Sequence, residues 1–266
     1  MENKIPQHGT NLTGRTAADP WKNGLPPHIP ATGSLPRVCL LPGDPGRVAM
    51  VARILERFVE VGYRREYRLA TGVFGGVELA VCSTGIGGPS TEIAVVELAR
   101  LGVDTFIRVG GMGAIPASIA PGALTAVATV LRESGTARFY ADDDTPIDAH
   151  PEVLAALAEA ATLQAERLAQ IRVLTCDAYY VGEGRPLIGL EDIAARRLDA
   201  IMATGADAMD MECETIFAVA RALGCRYGAI LATHGNRETD EWLEDYEPVQ
   251  MRMLSVAVQA AAMLGR

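Results

Sequence analysis

Between Val81 and Ile115 the chain sets out two apolar segments, each running into glycines, with an apolar-faced helical stretch between them. The first is Val81-Cys-Ser-Thr-Gly-Ile-Gly-Gly-Pro-Ser-Thr91, and the second is Phe106-Ile-Arg-Val-Gly-Gly-Met-Gly-Ala-Ile115. Strand, glycine turn, helix, strand, glycine turn is the order of a crossover unit, which commits the chain to an α/β sheet containing parallel neighbours. Pro89 opens the helix, where a missing N–H costs little, and Gly102 lies just past its end. Arg108 ends an apolar strand beside Gly110 and Gly111, whose bare backbone N–H groups suit an oxyanion. A guanidinium in that position needs an anion, and no acid is adjacent in sequence.

The rest of the chain fits one large α/β unit. Residues 1–35 are rich in Pro, Gly, Asn and Thr without hydrophobic period and read as an N-terminal arm; residues 36–266 read as a single domain. Arg37–Pro42 is a short apolar strand stopped by Gly43-Asp44-Pro45-Gly46-Arg47, and Val48, Val51, Ile54 and Leu55 recur at helical spacing. Phe58–Ser83 alternates around Phe74-Gly75-Gly76-Val77, a hairpin signal. Pro121–Glu133 reads as strand, 141–150 as an acidic loop, 151–169 as an amphipathic helix and Ile171–Cys176 as strand. Tyr179–Arg185 is a polar loop, Met209–Glu212 a short strand leading into a helix, Tyr227–Thr233 a strand, and His234–Glu241 another polar loop. A Met- and Ala-rich helix closes the chain at about 247–264. Ligands of open α/β sheets gather at strand carboxyl ends, and five polar clusters fall there: 43–47, 84–89, 108–113, 179–185 and 234–237.

A net charge of −9 argues against a nucleic-acid or anionic-membrane surface. Five scattered cysteines without a Cys-x-x-Cys pair suggest neither zinc nor a redox centre, and are expected to be reduced and mostly buried in a cytoplasmic protein. No apolar run approaches a membrane span. The glycines of 85–88 and 110–113 do not form a dinucleotide fingerprint.

Taken together, Leu41-Pro-Gly-Asp-Pro-Gly-Arg47, Cys82–Thr91, Ile107-Arg-Val-Gly110 with Gly113-Ala-Ile115, and Met211-Glu212 resemble the nucleoside phosphorylases of the uridine and hexameric purine type, in order and spacing, from about Pro27 onward. The resemblance implies a three-layer α/β domain with a mixed, mainly parallel sheet flanked by helices. It implies phosphorolysis of an N-ribosidic bond, with inorganic phosphate and nucleoside as substrates, no cofactor and no metal. By the same resemblance Gly43, Arg47, Arg108 and Gly111 fall at phosphate-binding positions, and Arg65 at one that reaches the neighbouring subunit's phosphate. Met211 and Glu212 fall under the ribose, and His28 is lent by a partner to its 5′ end. Tyr179, Glu183, Arg185, His234 and Arg237 fall at the base pocket. Arg108, Glu212 and Arg237 are thus the implied catalytic set, in a homo-oligomer, a dimer or trimer of dimers, with shared sites.

Four departures stand out. Gly111 replaces a Ser or Thr that contacts phosphate and ribose, Asp210 replaces a glutamate, and Glu183 replaces the base-pocket glutamine of uridine enzymes. Gly235 stands where purine enzymes place a general-acid aspartate. A uridine-like pyrimidine nucleoside is therefore favoured over a purine or 5′-modified one, with a nucleosidase or a non-catalytic nucleoside-binding protein as alternatives. Two expectations follow: that Arg108→Ala leaves the fold intact, and that Glu183, if it faces the base, ranks the nucleosides. A solvated loop acid is the plain alternative for Glu183.

Overall fold

The computed structural model describes residues 15–141 and 143–266. The strands are β1 (Val38–Pro42), β2 (Arg57–Arg64), β3 (Tyr67–Phe74), β4 (Val77–Cys82), β5 (Thr105–Ala114), β6 (Leu124–Leu131), β7 (Ile147–Asp148), β8 (Leu168–Thr175), β9 (Ala208–Asp210) and β10 (Arg226–Asn236). The helices are α1 (Pro45–Val51), α2 (Gly88–Arg100), α3 (Pro151–Leu163), α4 (Glu191–Ala203), α5 (Cys213–Ala222) and α6 (Glu247–Leu264). All the strands join one mixed sheet flanked by helices.

Alternation along the central strands separates two cores. Phe106 of β5 packs on one face with Leu98 of α2 and Phe217 of α5, while the next residue, Ile107, packs on the other with Leu157 of α3 and Met253 of α6. In β1, Cys39 and Leu41 take the first face and Leu40 the second. Each such buried side chain contributes roughly 1.5–3 kcal/mol of transfer free energy. With both faces covered, β1 and the Phe106–Ile107 start of β5 read as continuous apolar runs, as parallel interior strands do, and Arg108 is the exception that follows.

Strands β4, β1, β5 and β10 are parallel to their neighbours in that series, as the crossover pattern requires. The whole sheet is less parallel than expected: five pairings are parallel and five antiparallel. The β2–β3–β4 meander and the returns of β6 and β9 make the difference. β5 pairs β10, β10 pairs β6, β6 pairs β8, β8 pairs β9, and β9 pairs β5, so five strands close into a ring.

Gly75 and Gly76 turn the β3–β4 hairpin with φ of 57° and 75°, the left-handed pair that matches strand twist. A second turn joins β2 to β3 at Arg65 (φ 54°). The helix expected over 151–169 stops at Leu163, because Ala165 takes φ 55° and β8 begins at Leu168. Helix α4 had no counterpart in the sequence reading; it is mostly solvent-facing, with Ala194 and Ile201 its only buried residues. Gly110 and Gly111 lie inside β5 instead of a turn after it, held extended by pairing to Leu231 and Ala232.

The arm forms no helix or strand element over 15–35, yet it is anchored. Residues 1–14 of it lie outside the described residues. Trp21, Ile29 and Ala31 are buried against the α2 face, and Arg100 stacks over Trp21 at 4.0 Å. Buried Glu97 of α2 accepts from the backbone N–H of His28 (3.2 Å) and Ile29 (2.7 Å), and its other oxygen lies 2.7 Å from His28 Nδ1. The five cysteines are unpaired and buried. Among the described residues no helix is long and apolar enough to cross a membrane. Glu97→Ala is expected to release 27–31, raising amide exchange there and lowering stability by about 1–3 kcal/mol, as orphaned buried donors do.

Candidate active site

A cavity of about 840 Å³ opens at the carboxyl ends of β1, β4, β5 and β10. Of the site residues expected from sequence, it gathers Gly43, Arg47, Arg108, Gly111, Tyr179, Glu183, Arg185, Met211, Glu212, His234 and Arg237. Arg65 and His28 are not in its lining. Arg65 is exposed at the β2–β3 turn, and His28 is held by Glu97.

The carboxyl ends of β1 and β4 run side by side. Gly85 N–H donates to Gly43 O at 3.0 Å, and a Cβ on Gly43 would come 3.1 Å from Gly85 O. Asp44 caps α1 through the Gly46 N–H at 2.7 Å, which fixes Arg47 one turn into the cavity wall.

Arg108 sits mid-strand, 3% exposed, and its side chain folds back over Gly110, where a Cβ would come 2.7 Å from Cζ. The missing anion comes from β9. Antiparallel pairing of Met209 with Gly113 runs the chain back along β5 and delivers Asp210 and Glu212 to the guanidinium. Arg108 Nη2 lies 2.5 Å from Glu212 Oε2, and Nε lies 2.9 Å from Asp210 Oδ2 but off the donor direction, so that contact is an ion pair without a hydrogen bond. Burial opposes the Arg108 charge, but Glu212 and Asp210 outweigh it and raise the pKa. Burial raises the Glu212 pKa, against the pull of Arg108.

Glu212 precedes α5 without capping it. Its Oε1 instead accepts from the Gly87 N–H at 2.6 Å, tying β9 to the α2 entrance. Asp210 does the capping: Oδ2 accepts from the N–H of Glu212 (3.1 Å) and Cys213 (2.9 Å), and Oδ1 from Thr175 Oγ1 at 2.7 Å. The shorter aspartate thus serves helix and arginine together.

Elsewhere in the cavity lining, Arg185 pairs with Glu183 and stacks over Tyr179, 3.8 Å from the ring centroid. Glu183 is 3% exposed, which overturns the solvated-acid alternative, and its carboxylate is taken by an arginine. Burial raises its pKa and Arg185 opposes the rise. Arg237 donates to Gly184 O at 2.9 Å, while its buried Nε has no partner among the described residues. Burial and then Arg185 lower its pKa.

Sequence reasoning missed Trp242. It lines the cavity half-exposed, paired back onto Gly235, where a Cβ would come 2.8 Å from the indole. A tryptophan in a polar loop carries no periodic signal. Among the described residues no cluster of three or more His, Cys, Asp or Glu could hold a metal ion.

Fold and cavity together define an α/β protein built to hold a small ligand between cationic groups at strand carboxyl ends. The chain belongs to the phosphorylase superfamily, whose family model matches residues 37–264, and within it to the nucleoside phosphorylases. It is 38% identical to uridine phosphorylase of Thermococcus kodakarensis over 91% of this chain and 88% of the relative. It is 30% identical to uridine phosphorylase of Escherichia coli, over 85% of this chain and 92% of the relative. Guanosine phosphorylase of Halorubrum lacusprofundi is 34% identical over 77% and 80%. The crystal structure of purine nucleoside phosphorylase from Toxoplasma gondii in complex with immucillin-H superposes with TM-score 0.81 at 27% identity, covering 91% of this chain and 97% of that one.

The ion pairs correct the expectation that Arg108→Ala spares the fold. Removing the guanidinium strands two buried carboxylates, and the variant is expected to lose about 3–5 kcal/mol, read as a lowered denaturant midpoint.

Proposed function

We propose that this pentosyltransferase carries out reversible phosphorolysis of a uridine-like pyrimidine nucleoside, giving free base and ribose 1-phosphate. The observation that carries the reading is one cavity that gathers Arg47 near the Arg108–Glu212 pair and, as a second cationic group, Arg185 with Arg237. Phosphate lies against Arg47 and the Gly43 turn, with Arg65 supplied by a neighbouring subunit. Ribose lies over Met211 and Glu212, whose carboxylate accepts from the sugar hydroxyls and stabilises the positive charge that grows as the glycosidic bond stretches. Electron density leaving with the base is drawn toward Arg185 and Arg237. Arg108 holds Glu212 in register and faces the phosphate. Positioning and electrostatics supply the catalysis, without cofactor or metal. The reading includes a cytoplasmic homo-oligomer whose partner lends His28 and Arg65.

A purine reading is favoured by the guanosine phosphorylase relative. Against it, Trp242 covers Gly235, leaving no room there for an acid side chain. Base release from uridine, cytidine and guanosine, followed by chromatography with and without phosphate, separates the readings. Turnover indifferent to phosphate would sink the phosphorylase in favour of a nucleosidase, and binding without base release would mark a non-catalytic protein.

Sharing of sites has its own test. Arg65→Ala and Arg47→Ala, each inactive, should regain activity when mixed and exchanged, because hybrid sites then hold both arginines. Glu183→Gln frees Arg185 and is expected to weaken all nucleosides alike, by about 1.5–3 kcal/mol in kcat/KM, the scale of one charged hydrogen bond. A shift in their ranking would instead place Glu183 on the base.

A further inference from the structure

The strand β10 slips register between Thr233 and Gly235, which lifts His234 out of regular pairing at the cavity wall. Its ring stands over Gly111: a Cβ there would come 2.5 Å from Cε1 and 2.8 Å from Nδ1. Tyr246 backs the imidazole with ring centroids 5.0 Å apart, tilted by 31°, and Trp242 borders it at 6.5 Å. Only a glycine at 111 admits the ring in this place.

Of the buried nitrogens in the cavity lining that have no partner among the described residues, two lie in this neighbourhood. His234 Nε2 is one and Arg47 Nε is the other; the Arg47 side chain makes a single 3.3 Å bond, from Nη1 to Val109 O. Buried nitrogens left without a partner are uncommon; Arg237 Nε belongs with Arg185 and Glu183, and the two in the neighbourhood of His234 and Arg47 mark a place for an acceptor that comes from outside. Arg108 does not fill the same need. Its unpaired Nε lies 2.9 Å from Asp210 Oδ2, and its charge is already met by Asp210 and Glu212 where it faces the phosphate. Burial and the nearby Arg47 hold the His234 pKa below the ordinary histidine value, and a neutral imidazole still offers one N–H.

We infer that His234 binds the attacking phosphate, donating to one of its oxygens beside Arg47 from the space that a side chain at position 111 would fill. This assignment rests on the phosphorylase reading above and moves His234 from the base end, where the resemblance put it, to the anion end. Phosphate oxygens accept from both groups, and the tetrahedral anion bridges two side chains whose buried nitrogens no atom of the described residues satisfies.

The test uses the full-length protein and inorganic phosphate. His234→Phe keeps a ring over Gly111 and removes the N–H, and His234→Ala removes both without crowding. In each variant KM for phosphate should rise about tenfold or more, the loss of one hydrogen bond to a charged group, while KM for the nucleoside moves by less than about threefold. The rise in Tm that phosphate alone produces in the parent should shrink in both. If the parent depends on phosphate and either folded variant keeps the parental phosphate KM and Tm shift, the assignment is overturned and the phosphorylase reading stands. Equal rises in the two KM values would likewise overturn it, pointing to collapse of the whole cavity. If the parent turns over without phosphate, the underlying reading fails first.

Discussion

The buried contact of Arg108 with Asp210 and Glu212 is the constraint on which the centre of the molecule depends. A guanidinium in the middle of a covered sheet is tolerable only if its charge is met within the protein. The short strand β9 exists in this position to meet it, and by pairing antiparallel to β5 it closes the ring of strands at the same time. Glu212 then reaches the Gly87 N–H and ties the ring to the entrance of α2. One ion-pair cluster therefore links β5, β9, α2 and α5 around the cavity, and fold and site share a single electrostatic joint.

Two glycines in β5 act as seats for neighbouring side chains. Arg108 lies across Gly110, and His234 lies across Gly111. In sequence both looked like sources of bare N–H groups, but in the folded chain their backbone belongs to the ladder with β10, and the space left by their missing side chains is what matters.

This explains what could and could not be read from the residues. Periodicity and punctuation carried the α2 crossover, the Gly75-Gly76 hairpin and the final helix, because those depend on neighbours within a few positions. The convergence of 43–47, 108–113, 179–185 and 234–237 on one cavity was legible through the strand-end rule. The partners of Arg108, about a hundred residues away, were not, nor was the ring closure, since both are decided by which strands meet. Helix α4 was lost because it is mostly solvent-facing, and the early end of α3 because a left-handed alanine has no sequence signature. Trp242 and the His234–Gly111 contact were hidden for the same reason: a void at one position is filled by a side chain from a remote loop.

The closed ring also decides where the sheet is open. β2 is the outer strand at its far end, and it carries a register shift between Glu60 and Gly62 along with Arg57, Glu60 and Arg64. Arg57 and Glu60 face Glu78 and Arg68 of the same meander in ion pairs of 3.1 Å and 2.6 Å. Charge and a bulge on an edge strand oppose backbone pairing with a foreign strand. The same meander that carries Arg65 outward toward solvent is thereby guarded against fibrillar stacking, so crowding many copies together need not turn this exposed edge into a template for aggregation.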